Sequence, residues 1–161
     1  MRRYGPFAQT SPNGLTSWVS DSRRPIPDHL RLMLGHLDGV EKFTYVIWRG
    51  SNPESIIVTH KDPRDSFMQA AGTAEAMTVE ARIPGPDGNY HLYTVGRPEP
   101  ADGTTTLMNI NETRAVRVNS NEVFTADEAA TIFYTYYLTE SVAQPYVLRE
   151  LDLSQDLSEE R

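Results

Sequence analysis

Between Lys42 and Asn119 the chain is a succession of short β-branched and aromatic runs divided by glycine, proline, asparagine and aspartate. Apart from the 15 residues between His60 and Ala76, the connections are too short for a crossover helix, whereas two parallel neighbours need about a dozen or more connecting residues. This constrains the fold more than any other feature, because the runs must pair as a largely antiparallel meander. "KFTYVIWR" (Lys42–Arg49) reads as a strand, "GSNPE" as a turn, and "SIIVTH" (Ser55–His60) as the second arm of a hairpin. The next clear strand is "AMTVEARI" (Ala76–Ile83). Met77, Val79, Ala81 and Ile83 share one face, while Thr78, Glu80 and Arg82 share the other. "PGPDGN" turns it into "YHLYTVG" (Tyr90–Gly96). "RPEPADG" then leads to "TTTLMNI" (Thr104–Ile110), and "NET" to "RAVRVN" (Arg114–Asn119).

Helical spacing brackets this β-rich middle. In "DHLRLMLGHLDG", Leu30, Met33, Leu34 and Leu37 recur at i, i+3, i+4, i+7, with Asp28 as the expected N-cap and Gly39 as the stop. Thr125 and Glu128 form a T-x-x-E capping box with Phe124 in the staple position. Ala129, Ile132, Phe133, Tyr136 and Tyr137 then line one apolar face of a helix ending near Leu138. "YVLREL" (Tyr146–Leu151) reads as a last strand. Residues 1–14 read as a loose arm, "LTSWVS" (Leu15–Ser20) as a short strand broken by "DSRRPIP", and 154–161 as a frayed acidic end. The expectation is one α+β domain over residues 15–153. It consists of a single, largely antiparallel sheet of about six to eight strands with two helices packed on one face.

Charge limits the partners. Residues 1–40 carry a balance of +2 and residues 41–161 a balance of −9, for a net charge of −7. An acidic domain repels phosphate backbones, so nucleic acid is not an expected partner, whereas a basic protein is attracted. There is no cysteine, which excludes disulfides, zinc–thiolate sites and thiol nucleophiles within this chain. No apolar run approaches the roughly 20 residues that span a bilayer, and no apolar segment follows Arg2 and Arg3 as in a secretory signal. A cytoplasmic protein with no membrane partner is expected.

Catalytic patterns are sparse. His29 and His36 are seven residues apart, not at the i, i+4 spacing that shares a metal. His60, Asp62 and Asp65 read better as a charged turn than as a cation site, because Pro63 and Arg64 interrupt them. His91 alternates on a strand with Tyr90 and Tyr93 and reads as a cross-strand pairing residue. No G-x-S-x-G elbow and no H-E-x-x-H is present. No metal, cofactor or catalytic residue is expected. Trp48, beside Arg49 at a strand end, either anchors a partner or covers the edge of the core.

The run "NEVFTADEA" into "FYTYYLTESV", followed by "LRELDL", resembles the C-terminal part of small acidic actinobacterial immunity proteins. The preceding meander and early helix extend the likeness over residues 28–153. The resemblance implies a non-catalytic antitoxin that binds a cognate toxin and blocks its active site. Toxins of this kind include NAD-degrading enzymes, nucleases and deaminases. The proline-bearing loops "IPGPDGN" and "GRPEPADG" are the expected insertion elements, because proline lowers the ordering cost of docking. The interface candidates are therefore Asp87, Arg97, Glu99 and Asp102, with Trp48. Two other classes compete. A small enzyme or ligand-binding domain would line a deep pocket with Tyr90, Tyr93 or Tyr136 and a histidine. A structural adaptor would present a large apolar patch.

Overall fold

A computed structural model describes residues 5–59 and 64–151. The main sheet holds seven strands: β1 (Phe7–Thr10), β2 (Thr16–Trp18), β3 (Thr44–Arg49), β4 (Phe67–Gly72), β5 (Met77–Pro84), β6 (Tyr90–Gly96) and, out of chain order, β9 (Val147–Glu150). They run β2-β1-β3-β4-β5-β6-β9, and every neighbouring pair is antiparallel. Two further strands, β7 (Thr105–Asn109) and β8 (Ala115–Asn119), form a separate hairpin. The helices are α1 (Ile26–Leu34) and α2 (Ala126–Thr139), and a 3-10 turn (Ser120–Glu122) follows β8.

Strand alternation decides which residues meet the helices. Phe7, Tyr45, Ile47, Met68, Ala70, Met77, Val79, Ala81, Tyr93 and Val95 are buried on one face. They share that core with Leu30 and Leu34 of α1 and with Ala129, Ile132, Phe133 and Tyr136 of α2. Both helices therefore cover one face of the sheet, as the periodicity predicts. The α2 cap forms as expected: Glu128 N–H donates to Thr125 Oγ1 at 3.3 Å, and Thr125 N–H donates to Glu128 Oε1 at 2.8 Å. Phe124, in the staple position, is buried.

On the opposite face, Ala8, Val46, Trp48 and Val58 form a second cluster. β7 lies against β4 and the 3-10 turn against β6. Arg149 of β9 reaches Glu122 of that turn through Nε and Nη2, both at 2.8 Å. The buried Glu122 carboxylate also accepts from Asn119 N–H at 2.7 Å, so the end of the hairpin is tied to the edge of the main sheet.

Several sequence expectations change. Part of the supposed loose arm is structured, because Phe7–Thr10 pair with both β2 and β3 and bury Phe7 and Ala8. A strand of four residues set among polar neighbours shows no long-range partner in its own composition. Of "SIIVTH", the described residues 55–59 form no strand, and β3 pairs instead with Phe67–Gly72. That strand, "FMQAAG", is weak in β-branched residues, and its place between β3 and β5 compensates for its low intrinsic preference. Gly72 at its end has φ +130°, and a Cβ there would lie 2.5 Å from Ala76 O, so the tight turn into β5 requires glycine. Helix α1 begins earlier than expected. Pro25 is its N-cap, Pro27 lies in the first turn with Asp28, and the helix stops at Leu34 rather than at Gly39.

Candidate functional site

The sheet has two ends, and the candidate residues divide between them. β3, β5 and β9 finish, and β4 and β6 start, at one end, which we call the upper rim. The 85–89 turn lies there, whereas the 97–104 loop lies at the other end of β6. That strand is 7 residues long, so at roughly 3.3 Å per residue its ends stand about 20 Å apart. The structure therefore does not bring Asp87 together with Arg97, Glu99 and Asp102.

At the lower end, Arg97 Nη2 donates to both Glu128 oxygens at 2.9 and 3.1 Å, and its guanidinium lies 4.8 Å from the Phe124 ring centroid. Arg97 thus holds the first turn of α2 and already has its partners. The Thr125 N–H, followed by Arg97, keeps the Glu128 carboxyl below its ordinary range. Glu99 is exposed between Pro98 and Pro100. Asp102 Oδ1 accepts from Thr104 Oγ1 at 2.5 Å and Thr104 N–H at 2.9 Å, which lowers its pKa and shapes the loop.

Trp48 is not at the surface. It is 0% exposed, with its ring inside the second cluster and the Arg64 guanidinium 5.0 Å from its centroid. The indole covers the core and is removed as a contact residue, because it alternates with Ile47 onto the face that Val58 closes.

The upper rim gathers more chemistry. Asp87 accepts from Asn89 N–H at 2.9 Å, and both its oxygens lie against His91 Nε2, at 2.9 and 3.0 Å. Glu150 Oε2 of β9 stands 3.4 Å from the other ring nitrogen, Nδ1. The Asp87 hydrogen bond, more than any other cause, raises the His91 pKa; Asp87 itself is lowered, first by the Asn89 N–H and then by His91. A charged imidazole held between two carboxylates has no free lone pair and is poorly suited to act as a base. Nearby, Tyr136 Oη and Ser66 Oγ are hydrogen-bonded at 2.6 Å, and burial pushes the Tyr136 phenol up to about 12. Arg49 Nε donates to Glu140 Oε2 at 2.9 Å, and the Arg82 guanidinium lies 5.4 Å from the Tyr90 centroid while its Nη1 donates to the Asp65 carbonyl.

Tyr93 and Tyr136 are buried and only Tyr90 is exposed, so these tyrosines are packed instead of lining a deep pocket. The groove beside α1, of about 540 Å³, is open and lined by Arg24, Asp28, Arg31, Leu32, Gly35 and His36, none of them a tyrosine. His60 and Asp62 lie outside the described residues. Among the described residues no group of three or more His, Asp or Glu side chains is arranged to hold a metal ion, and no helix is long and apolar enough to cross a membrane.

Sequence reasoning missed one surface. Ile56 and Ile57 are 70% and 72% exposed on the loop after β3. That loop is held by Trp18 Nε1–H donating to Ser55 O at 2.9 Å, Ser55 N–H to Asn52 O at 3.1 Å, and Ser55 Oγ–H to Ile57 O at 3.0 Å. Val58 is buried directly beneath. Strand alternation would have turned one isoleucine inward, and the failure of that strand to form is what leaves both outside. Compared with known proteins, the chain matches no family model, no curated protein and no solved structure.

Proposed function

We propose that this chain is a non-catalytic immunity protein that binds a cognate toxin and blocks its active site, with Ile56 and Ile57 at the centre of the contact. The observation that carries this reading is the pair of adjacent, largely exposed isoleucines on a loop whose backbone is already hydrogen-bonded into place. A preordered apolar projection loses little conformational freedom on docking, and a few well-packed anchor residues carry most of the binding energy at an interface, an aliphatic side chain in a pocket among them. The net charge of −7 favours a partner with a basic cleft, through attraction over distance and not through any single ion pair. The likeness of Asn121–Val142 to immunity proteins supplies the partner class: an NAD-degrading enzyme, a nuclease or a deaminase.

In this reading Arg97, Asp102 and Trp48 build the scaffold. Asp87 and Glu99 remain exposed and able to take part. The test is to coexpress and purify the chain with the product of a neighbouring toxin-like gene. The expected result is a stoichiometric complex, with rescue of cells that express that product. No complex at micromolar concentration, together with no rescue, overturns the proposal.

A further inference from the structure

We propose that His91 is a proton-operated clasp which, when charged, joins the 85–89 turn to the edge strand β9 across β6, and which releases that joint when the ring loses its proton. The geometry carries this. Both oxygens of Asp87, from the turn, lie against Nε2 at 2.9 and 3.0 Å, and Glu150 of β9 lies 3.4 Å from Nδ1. Only an imidazolium presents an N–H to both carboxylates. A neutral ring must turn a lone pair toward one of them, which is repulsive.

The turn also packs closely on the ring: a Cβ at Gly85 would come 2.7 Å from His91 Cδ2 and 2.6 Å from Tyr93 Oη, so only glycine lets the backbone approach the histidine this closely. The charged groups acting on the ring are Asp87 from the turn and Glu150 from β9. The Tyr93 ring, two residues along β6, packs at 6.2 Å, and the residue opposite His91 on β5 is the apolar Ile83. β9 pairs only with β6 in the sheet, so among the described residues it is an edge, and Glu150 is its last strand residue. Losing one of its side-chain ties therefore frees the end of the strand before anything in the core moves.

The device would make the order of the upper rim depend on pH in the range where histidine titrates, and would regulate the partner-binding surface if the turn takes part in it. That link rests on the proposed function, whereas the clasp itself is testable on the isolated chain. Histidine ring signals are followed by NMR from about pH 5 to about pH 9, with amide exchange of residues 147–151 corrected for its intrinsic pH dependence. The expected midpoint for His91 lies above the ordinary value of about 6.5 and falls in both Asp87→Asn and Glu150→Gln. Protection of 147–151 should drop as pH rises through that midpoint, and His91→Gln should abolish the step. A midpoint at or below about 6.5, or a step that persists in His91→Gln, overturns the clasp. Should His91→Gln fail to fold, Glu150→Gln alone decides: an unmoved midpoint refutes the joint. No partner is present in this experiment, so its failure leaves the binding proposal untouched.

Discussion

Replacing Tyr136 with alanine tests whether the aromatic face of α2 is core or binding surface. The side chain is fully buried, its ring meets that of Phe7 edge-on at 5.9 Å, and its hydroxyl is bonded to Ser66 at 2.6 Å. Truncating a buried aromatic side chain to alanine costs about 3–5 kcal/mol, transfer and cavity terms together. The edge-to-face pair lies within that figure and is not added to it. For a chain of this size, each kcal/mol lowers Tm by roughly 2–4 °C, so Tyr136→Ala should melt about 6–20 °C below the wild type. Tyr136→Phe separates the hydroxyl from the ring. Ser66 is only partly buried and can rehydrate, so that variant should lose about 0.5–1.5 kcal/mol. Urea unfolding with an unchanged m-value measures both, and any partner affinity is compared only at temperatures where each variant is folded. If Tyr136→Ala keeps the wild-type midpoint yet abolishes binding, the side chain is a contact residue and the packing argument is wrong.

Two smaller effects follow from the same structure. Thr125→Ala removes the oxygen that accepts from Glu128 N–H and should destabilise by about 1 kcal/mol, read as a lower urea midpoint. His29 donates from Nε2 to Gln9 Oε1 at 2.8 Å, and the same oxygen accepts from the buried Tyr45 hydroxyl at 2.7 Å. Burial, then Arg24, lowers the His29 pKa. The unfolded chain therefore binds that proton first, so stability is full above about pH 6.5 and falls as pH drops through the window below it. His29→Gln should flatten that acid limb in unfolding experiments, and an unchanged slope would show that other groups produce it.

The parts of the fold that were legible in the sequence are those governed by local periodicity. The α2 capping box and apolar stripe, the alternation of Met77–Ile83 and the turn at 85–89 depend on residues within a few positions of one another. β4 was hidden because Gln69, Ala70 and Ala71 acquire strand conformation from β3 and β5 on either side, not from their own preference. β1 was hidden for the same reason. The candidate site failed differently. Asp87 and Asp102 read as exposed loop acids, and each shapes its own loop through hydrogen bonds to the following residues. Arg97 is drawn into the α2 cap by Glu128, 31 residues away, a pairing no local pattern encodes. The isoleucine projection exists because residues 55–59 lie outside the sheet, which their β-branched composition does not signal.

The most direct measurement is calorimetric titration of the separately purified product of the neighbouring toxin-like gene with the wild-type chain and with Ile56→Asp and Ile57→Asp, after unfolding curves show both variants as stable as the wild type. Both side chains are exposed, so stability should change by no more than about 0.5 kcal/mol. A charge forced into a desolvated apolar contact should cost about 2–4 kcal/mol of binding, a loss of roughly 30- to 1,000-fold in affinity. Wild-type affinity retained by both variants would place the contact elsewhere and contradict the central claim.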